Sequence, residues 1–365
     1  MSLMLEMNQR ALDLGVPLSV HLDITYRCNE RCIHCYLDHD DLGEMSTDEI
    51  RNVLDQLADA GVFFLALSGG EVLMRRDFFT IVEHARRRQF NVKVKTNGVM
   101  IREVEARRMR ELGVEQVQIS VYSHRPEVHD RITRLPGSLR RTIEAIRFLK
   151  TQGLKVSIAN VLMTANLADN SGVIALAKEL GVSYTLDPTI TPKIDGDTSV
   201  LGLRAPGSEL KQVFQNEELV GNLQEFCAPP PGADEDVLDG YPCSAGHTSC
   251  YVSPYGNVFP CVQFPLPSGN LRRESFIDIW QKSSALAEVR SIRARDLVTC
   301  SACSHVGTCS RCPGLAYMEG NMRGPSRADC EKSFLRTGIP SANMLRNGAI
   351  AGGRLIQIQP VVPSS

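Results

Sequence analysis

No stretch of this 365-residue chain reaches the roughly eighteen consecutive apolar residues that a membrane span needs. The opening residues, Met1 to Arg10, show no charged segment leading into an unbroken apolar core, so nothing in them resembles a signal peptide. Charge of one sign is equally scarce. Lys and Arg number 40 against 42 Asp and Glu, a formal net charge of −2, which leaves no overall basic field for nucleic acid. The local runs Arg86 to Arg88 and Arg102 to Arg110 fit solvated helix faces. The hydrophobic fraction of 43% is that of a globular chain rather than a disordered one. These absences predict a soluble cytoplasmic enzyme that binds neither membrane nor nucleic acid, and the length predicts about two domains.

What the chain has in abundance is cysteine, twelve in all. Disulfides suit secreted chains, so in a reducing compartment this number asks for metal. The first three, Cys28, Cys32 and Cys35, follow the apolar stretch Leu18 to Ile24 as Cys-x3-Cys-x2-Cys. Structural zinc sites close with four ligands, and this triple is one short. Cubane iron-sulfur clusters are ordinarily held by four cysteines as well, so three would leave one iron open to a small chelating molecule.

The first half of the chain repeats. Gly61-Val62, Gly113-Val114, Gly153-Leu154 and Gly181-Val182 each close a helical stretch and open an apolar run, as where a helix ends at a left-handed glycine and a strand begins. Strands are predicted at about 18–25, 62–68, 92–96, 115–121, 155–161 and 182–187, rich in Val, Ile and Leu as fully covered parallel strands are. Ser46 to Glu49 reads as a capping box ahead of Ile50, Val53, Leu54 and Leu57. Alternating strands and helices imply an α/β fold with a parallel sheet and right-handed crossovers, which a doubly wound sheet and a barrel both satisfy.

Residues 206–240 turn polar and rich in Pro and Gly, and read as a linker. Cysteines then return: Cys243, Cys250 and Cys261 around a predicted hairpin at 251–259, then Cys300-x2-Cys303-x5-Cys309-x2-Cys312, and finally Cys330. These eight thiols suffice for two four-cysteine iron-sulfur clusters. Two zinc sites stapling a turn-rich region remain the alternative.

Two of these features carry a family resemblance. The Cys28 triple, followed one strand later by Ser68-Gly69-Gly70-Glu71, resembles the radical S-adenosylmethionine (SAM) enzymes. The spacing Cys243-x12-Gly256-x4-Cys261 and the later cysteine group are similar to their SPASM extension, whose pattern is Cys-x9-15-Gly-x4-Cys, then Cys-x2-Cys-x5-Cys-x3-Cys and a last cysteine. Here two residues rather than three separate Cys309 from Cys312. The resemblance spans about residues 18–332. It implies a partial (β/α)6 TIM-like barrel over 18–205, open along one side, and a small cysteine-rich α+β SPASM domain over 241–335. An N-terminal extension (1–17) and a C-terminal tail (336–365) flank them.

The resemblance also implies cofactors and their ligands. A four-iron, four-sulfur (4Fe-4S) cluster would sit on Cys28, Cys32 and Cys35, with the SAM amino and carboxylate groups on its open iron and the His34 ring packed against the loop. Two auxiliary iron-sulfur clusters would sit on Cys243, Cys250, Cys261 and Cys312 and on Cys300, Cys303, Cys309 and Cys330. Cys227 is left over, a free thiol unless it replaces Cys250. Gly69, Gly70 and Glu71 would hold the SAM amino group, and Thr96 and Asn97 would face its ribose and methionine parts. Ser120, Arg131 with Arg134, and Asn160 are candidates for the ribose hydroxyls or the carboxylate, and Asp187 for a proton acceptor on the substrate side.

The chemistry implied is reductive cleavage of SAM to a 5′-deoxyadenosyl radical and removal of a hydrogen from the substrate, with an auxiliary cluster taking the remaining electron, a net oxidation. The expected substrate is a ribosomally made peptide, from the Cys312-Pro-Gly-Leu-Ala-Tyr stretch and from strand ends rich in hydroxyl and amide groups, among them Tyr122 and Thr185. Oxidation or decarboxylation of haem-precursor side chains is the alternative, and a non-catalytic electron relay the third. About seventeen residues before the first strand leave no room for a leader-recognition domain, so a separate partner would supply it. A flavodoxin or ferredoxin would supply electrons.

Overall fold

The computed structural model describes residues 3–37, 39 and 41–347; Gly352-Gly353 and the Pro360 to Pro363 stretch of the expected tail lie outside the described residues. Helix α1 (Leu3–Leu14) leads into six alternating units: β1 (Ser19–Thr25), α2 (Thr47–Asp59), β2 (Phe64–Gly69), α3 (Phe78–Arg87), β3 (Asn91–Thr96), α4 (Glu103–Glu111), β4 (Gln116–Ser120), α5 (Pro126–Thr133), α6 (Ser138–Thr151), β5 (Lys155–Val161), α7 (Asn170–Glu179) and β6 (Ser183–Asp187). Local chemistry sets their ends. Gly61, Gly113, Gly153 and Gly181 all have positive φ, from 62° to 93°, and turn each helix end toward the next strand. The Ser46 hydroxyl accepts from the Glu49 N–H (3.2 Å) and the Glu49 carboxylate from the Ser46 N–H (2.7 Å), so the capping box holds the start of α2.

The six strands are parallel and lie in chain order, β6-β5-β4-β3-β2-β1. A doubly wound sheet reverses its strand order at a switch point, so this order selects the curved, partly open barrel. The expectation of strands covered on both faces needs correction. One face of each strand carries the core against the helices, with Val20, Leu22, Leu67, Val94, Val117 and Ile158 in it. The other carries polar side chains in register: His21 opposite Ala66, Ala66 opposite Lys93 and Lys93 opposite Gln116, with Asp23 opposite Ser68 and Lys95 opposite Gln118. The inside of this barrel surrounds a cavity rather than packed apolar layers, and polar groups can stay wet there.

The stretch expected as a linker contains helices α8 (Gly207–Phe214), α9 (Glu217–Val220), α10 (Leu223–Phe226) and α11 (Glu235–Asp239). Its polarity comes partly from helix starts, since Asn216, Asn222 and Asp234 each accept a backbone N–H as N-caps. Leu210 and Val213 of α8 pack with Leu162 and Leu167. Beyond them, β7 (Ser249–Val252) and β8 (Asn257–Phe259) form the expected hairpin, and β9 (Gly269–Asn270) pairs with β8. β7 also pairs in parallel with β1, so one nine-stranded sheet runs from the barrel into the cysteine-rich region. Helices α12 (Phe276–Lys282), α13 (Ser284–Arg290), α14 (Pro313–Met318), α15 (Arg327–Thr337) and α16 (Ala342–Asn347) follow. Val258, Phe276, Ile279 and Trp280 share the core of Val20 and Leu22. Among the described residues no helix is long and apolar enough to cross a membrane.

Candidate active site and cysteine clusters

The loop of Cys28, Cys32 and Cys35 leaves the carboxyl end of β1, the edge where functional loops of a parallel barrel gather. Its root is tied from two sides. Glu44 Oε1 accepts from the Tyr26 N–H (2.6 Å) and the Thr25 hydroxyl (2.8 Å), while the N–H groups of Gly70 and Glu71 donate to the Thr25 and Arg27 carbonyls (2.8 and 2.9 Å). Farther along, the Arg31 and Ile33 N–H groups donate to the carbonyls of Thr133 and Ile132 at the end of α5, both at 3.0 Å. The two glycines permit a close backbone crossing. A Cβ on Gly70 would stand 2.4 Å from the Arg27 carbonyl oxygen, and one on Gly69, at φ 132°, 2.0 Å from that of Thr25.

Glu71 is fully buried. Its carboxylate accepts from the Thr96 hydroxyl (2.8 Å to each oxygen) and from the N–H groups of Asn97 (2.9 Å) and Leu73 (3.1 Å). Burial pushes its pKa up, against these bonds. Its side chain therefore joins the Gly-Gly-Glu turn to the end of β3.

A cavity of about 440 Å³ opens within this edge. It brings Cys28, Cys32 and Cys35 together with Gly69, Gly70, Thr96, Asn97, Ser120 and Asn160, and with Asp187 on its rim. Asn97 Nδ2 donates to Asn29 Oδ1 (2.8 Å) and lies 3.8 Å from the Cys28 sulfur. Asn160 Nδ2 donates to the Val121 carbonyl (2.7 Å), while its Oδ1 is buried with no partner among the described residues, an acceptor suited to a ligand's donor. Two expected residues are placed elsewhere. The Glu71 carboxylate lies behind the turn, and Arg131 lines a separate shallow groove with Arg134, Pro126 and Asp130. The His34 ring packs edge-on against Tyr122, centroids 4.7 Å apart, and burial takes its pKa down to about 4.

The thiols are chemically suited to iron. Burial pushes Cys28 up to about 12, opposed by the Glu30 N–H that donates to its sulfur and helped by the charges of Glu71, Glu30 and Cys35. Burial takes Cys32 well above its ordinary range, with Glu30 and the neighbouring thiols adding to it. Such thiols give up their protons when a metal ion compensates the charge.

The later cysteines sort into two groups. Burial raises Cys250, Cys261 and Cys312, and the next contributions include Cys261 acting on Cys250 and Cys312, and Cys243 acting on Cys261. Burial likewise raises Cys300, Cys309 and Cys330, with further contributions among themselves and from Cys303. Those four line a second cavity of about 250 Å³. Cys312 turns away from its sequence neighbour Cys309: its N–H donates to Asp329 Oδ2 (2.7 Å), and its sulfur lies 3.9 Å from Gln263 Oε1, close after Cys261. Cys250 is buried on β7 opposite Val20, and Cys227, at the end of α10, lines neither cavity. Among the described residues no three His, Cys, Asp or Glu side chains converge as around one ion. Cys28, Cys32 and Cys35 on one side and Cys300, Cys303, Cys309 and Cys330 on the other each face one space, as suits ligands of separate irons. Cys250, by contrast, packs in the apolar core with Val20 and Val252, and Cys243 and Cys261 pack together beside Phe264.

His21, Lys95 and Gln263 also line the central cavity, and sequence reasoning does not single them out. Burial lowers the Lys95 pKa, opposed by the fields of Asp23, Cys261 and Asp187. The available signal is a His, an Asp and two Lys alternating with Val and Leu in strands that otherwise look apolar.

The chain is similar to known proteins over both of its halves. The family model of the radical SAM superfamily matches residues 22–170, and that of the SPASM iron-sulfur cluster-binding domain matches residues 243–313. The chain is 29% identical to the AdoMet-dependent heme synthase of Methanosarcina barkeri, over 83% of this chain and 93% of that one. It is 28% identical to the mycofactocin maturase MftC of Mycobacterium tuberculosis, over 84% and 80% respectively. Among solved structures, Streptococcus suis SuiB bound to precursor peptide SuiA matches 89% of this chain and 79% of its own with a TM-score of 0.71 at 15% identity, a likeness of fold. The two matched segments contain the Cys28 loop and the Cys243 to Cys312 group, so the cofactors are SAM and 4Fe-4S clusters. The chain is a radical SAM enzyme with a C-terminal SPASM domain.

Proposed function

We propose that this enzyme matures a ribosomally made peptide by removing two hydrogens and forming a crosslink or a comparable bond. Cys28, Cys32 and Cys35 hold the cluster to which SAM binds, and Gly69, Gly70, Thr96, Asn97, Ser120 and Asn160 surround SAM. Glu71 serves by fixing Thr96 and Asn97. Cys243, Cys250, Cys261 and Cys312 hold one auxiliary cluster, and Cys300, Cys303, Cys309 and Cys330 the other. When bound, SAM and its cluster supply the acceptor for one substrate hydrogen atom. The chain positions the substrate carbon beside it and keeps water away.

The cavity lining carries the peptide reading. Gln118, Ser120, Asn160, Thr185 and Gln263 offer donors and acceptors that match a peptide backbone. A tetrapyrrole calls for a flat apolar slot rimmed by basic groups that pair with its carboxylates. Lys95 is the one Lys or Arg among the described lining residues. The mycobacterial relative, a maturase, supports the same class. A separate leader-recognition protein and a low-potential flavodoxin or ferredoxin complete the reading, in a reducing cytoplasm that keeps the thiols available to iron. The second reading, oxidation or decarboxylation of haem-precursor side chains, is favoured by the Methanosarcina relative, which aligns over 93% of its length.

Anaerobically reconstituted protein, given SAM and dithionite, is expected to lower the mass of a peptide encoded beside its gene by two hydrogens. Turnover of a haem precursor with that peptide untouched would establish the second reading instead.

A further inference from the structure

Removal of two hydrogens sends one away as an atom and leaves a proton to be collected inside the cavity. Asp187 sits at the rim, where its Oδ1 accepts from the Thr189 N–H (2.8 Å). A better-built acceptor lies on the first strand. We propose that His21 Nδ1 takes the substrate proton and that Asp23 sets the ring in place for it. The proposal rests on the reading of this enzyme as one that removes two hydrogens.

His21 and Asp23 are two residues apart on β1, so both point into the barrel. The His21 Nε2 lies 3.0 Å from Asp23 Oδ1. Asp23 is fully buried, and its other oxygen accepts from the Tyr251 hydroxyl (2.9 Å), which in turn meets the Tyr26 hydroxyl at 2.7 Å. A carboxylate fixed in this way holds the imidazole proton on Nε2, leaving Nδ1 as the lone-pair nitrogen. That nitrogen has no hydrogen-bond partner among the described residues, and the ring lines the cavity that holds Cys28 and Asn160. Tyr251 meets the ring edge-on, centroids 5.5 Å apart, and fixes its plane.

The charged groups around the ring keep it ready. Burial, Lys95 and Lys93 on β3 lower the His21 pKa, against Asp23 on its own strand, which raises it; Tyr251 faces it from β7. The ring is therefore neutral at pH 7 and able to accept.

The step balances as follows. A substrate C–H bond breaks and its hydrogen atom joins the adenosyl carbon to complete 5′-deoxyadenosine. A second substrate bond to hydrogen gives its proton to His21 Nδ1, and the remaining electron reduces an auxiliary four-iron cluster by one unit. The substrate gains one new bond. Asp23 touches no reacting atom and is a positioning residue.

The test uses cluster-loaded protein and the co-encoded peptide, deuterated at the abstracted position. In His21→Gln, deuterium is expected to enter 5′-deoxyadenosine within about twofold of the wild-type rate. Oxidised peptide is expected to fall by about a hundredfold, the usual range for a lost general base. In Asp23→Asn the acid limb of the pH–rate profile for peptide oxidation should move, which a purely structural role would not do. Oxidation undiminished in His21→Gln would overturn the proposal, as would deuterium transfer falling in step with it.

A second readout needs no turnover. Diethyl pyrocarbonate, mapped residue by residue on the holoprotein without SAM, should modify His21 with a midpoint below its ordinary 6.5, and Lys95→Met should raise that midpoint. A His21 that stays unmodified from pH 5 to 8 would overturn the proposal even if the peptide reading holds. A wild-type enzyme that leaves the peptide unchanged sinks the peptide reading, and the carbethoxylation result still decides the accessibility of His21.

Discussion

Gly70 is held to glycine by the backbone beneath it. The turn after β2 crosses the root of the cysteine loop so closely that an added methyl meets the Arg27 and Tyr26 carbonyl oxygens at 2.4 and 2.5 Å. Neither oxygen can retreat without moving the residues that lead to Cys28. Gly70→Ala is expected to cost about 1–3 kcal/mol in urea unfolding, as overpacking does, and to reduce iron bound at the Cys28 site together with 5′-deoxyadenosine formation. Gly202→Ala, with nothing within 4 Å of its added Cβ, is the control and should change neither. A Gly-Gly pair marks a turn where backbone can pass closely, and only the fold shows that the chain's own loop is the thing approached. His21 and Lys95 were harder to read, because a single polar residue between two buried aliphatic ones looks like the outer face of a strand until the sheet closes around it.

At the scale of elements, β7 is the joint between the two halves. It adds to β1 in parallel and so carries Cys250 next to Val20, while the turn after β8 delivers Cys261. α14 then begins at Cys312, whose sulfur accepts from the Leu315 N–H at its N-terminus (3.5 Å) and is aimed toward Gln263 and the Cys261 side. If this pairing holds the clusters, Cys312→Ala and Cys243→Ala should give similar electron paramagnetic resonance changes, and both should differ from Cys300→Ala. A Cys312→Ala spectrum matching Cys300→Ala would reverse the assignment. The shorter spacing between Cys309 and Cys312 is accommodated by the helix start, because Cys312 N–H is taken up by Asp329 of α15 rather than by the preceding turn.

For the whole molecule, the core does not depend on the first cysteine loop. Val20, Leu22, Leu54, Phe78, Val258 and Trp280 form one cluster that runs from the helix layer into the cysteine-rich region, away from Cys28, Cys32 and Cys35. Three complete cubanes correspond to about twelve irons per chain, and the triple alanine variant of those cysteines should keep about eight. That variant should fold, with wild-type far-ultraviolet circular dichroism, and produce no 5′-deoxyadenosine. Zinc in place of iron after anaerobic reconstitution would contradict the cluster assignment in both halves.

The sequence by itself determined the parts whose physics is local. Helix ends at Gly61, Gly113, Gly153 and Gly181, the capping box at Ser46, the six strand positions and the spacing of Cys28, Cys32 and Cys35 all follow from neighbours a few residues apart. What depended on distant pairing was decided by the tertiary structure. The parallel ladder between β1 and β7 joins residues more than two hundred positions apart. The committed carboxylate of Glu71, the displacement of Arg131 from the cavity, and the inward row of His21, Asp23 and Lys95 likewise exist only once six strands curve into one wall. Periodicity tells which residues share a face of a strand, and only the closure of the sheet tells which face encloses the chemistry.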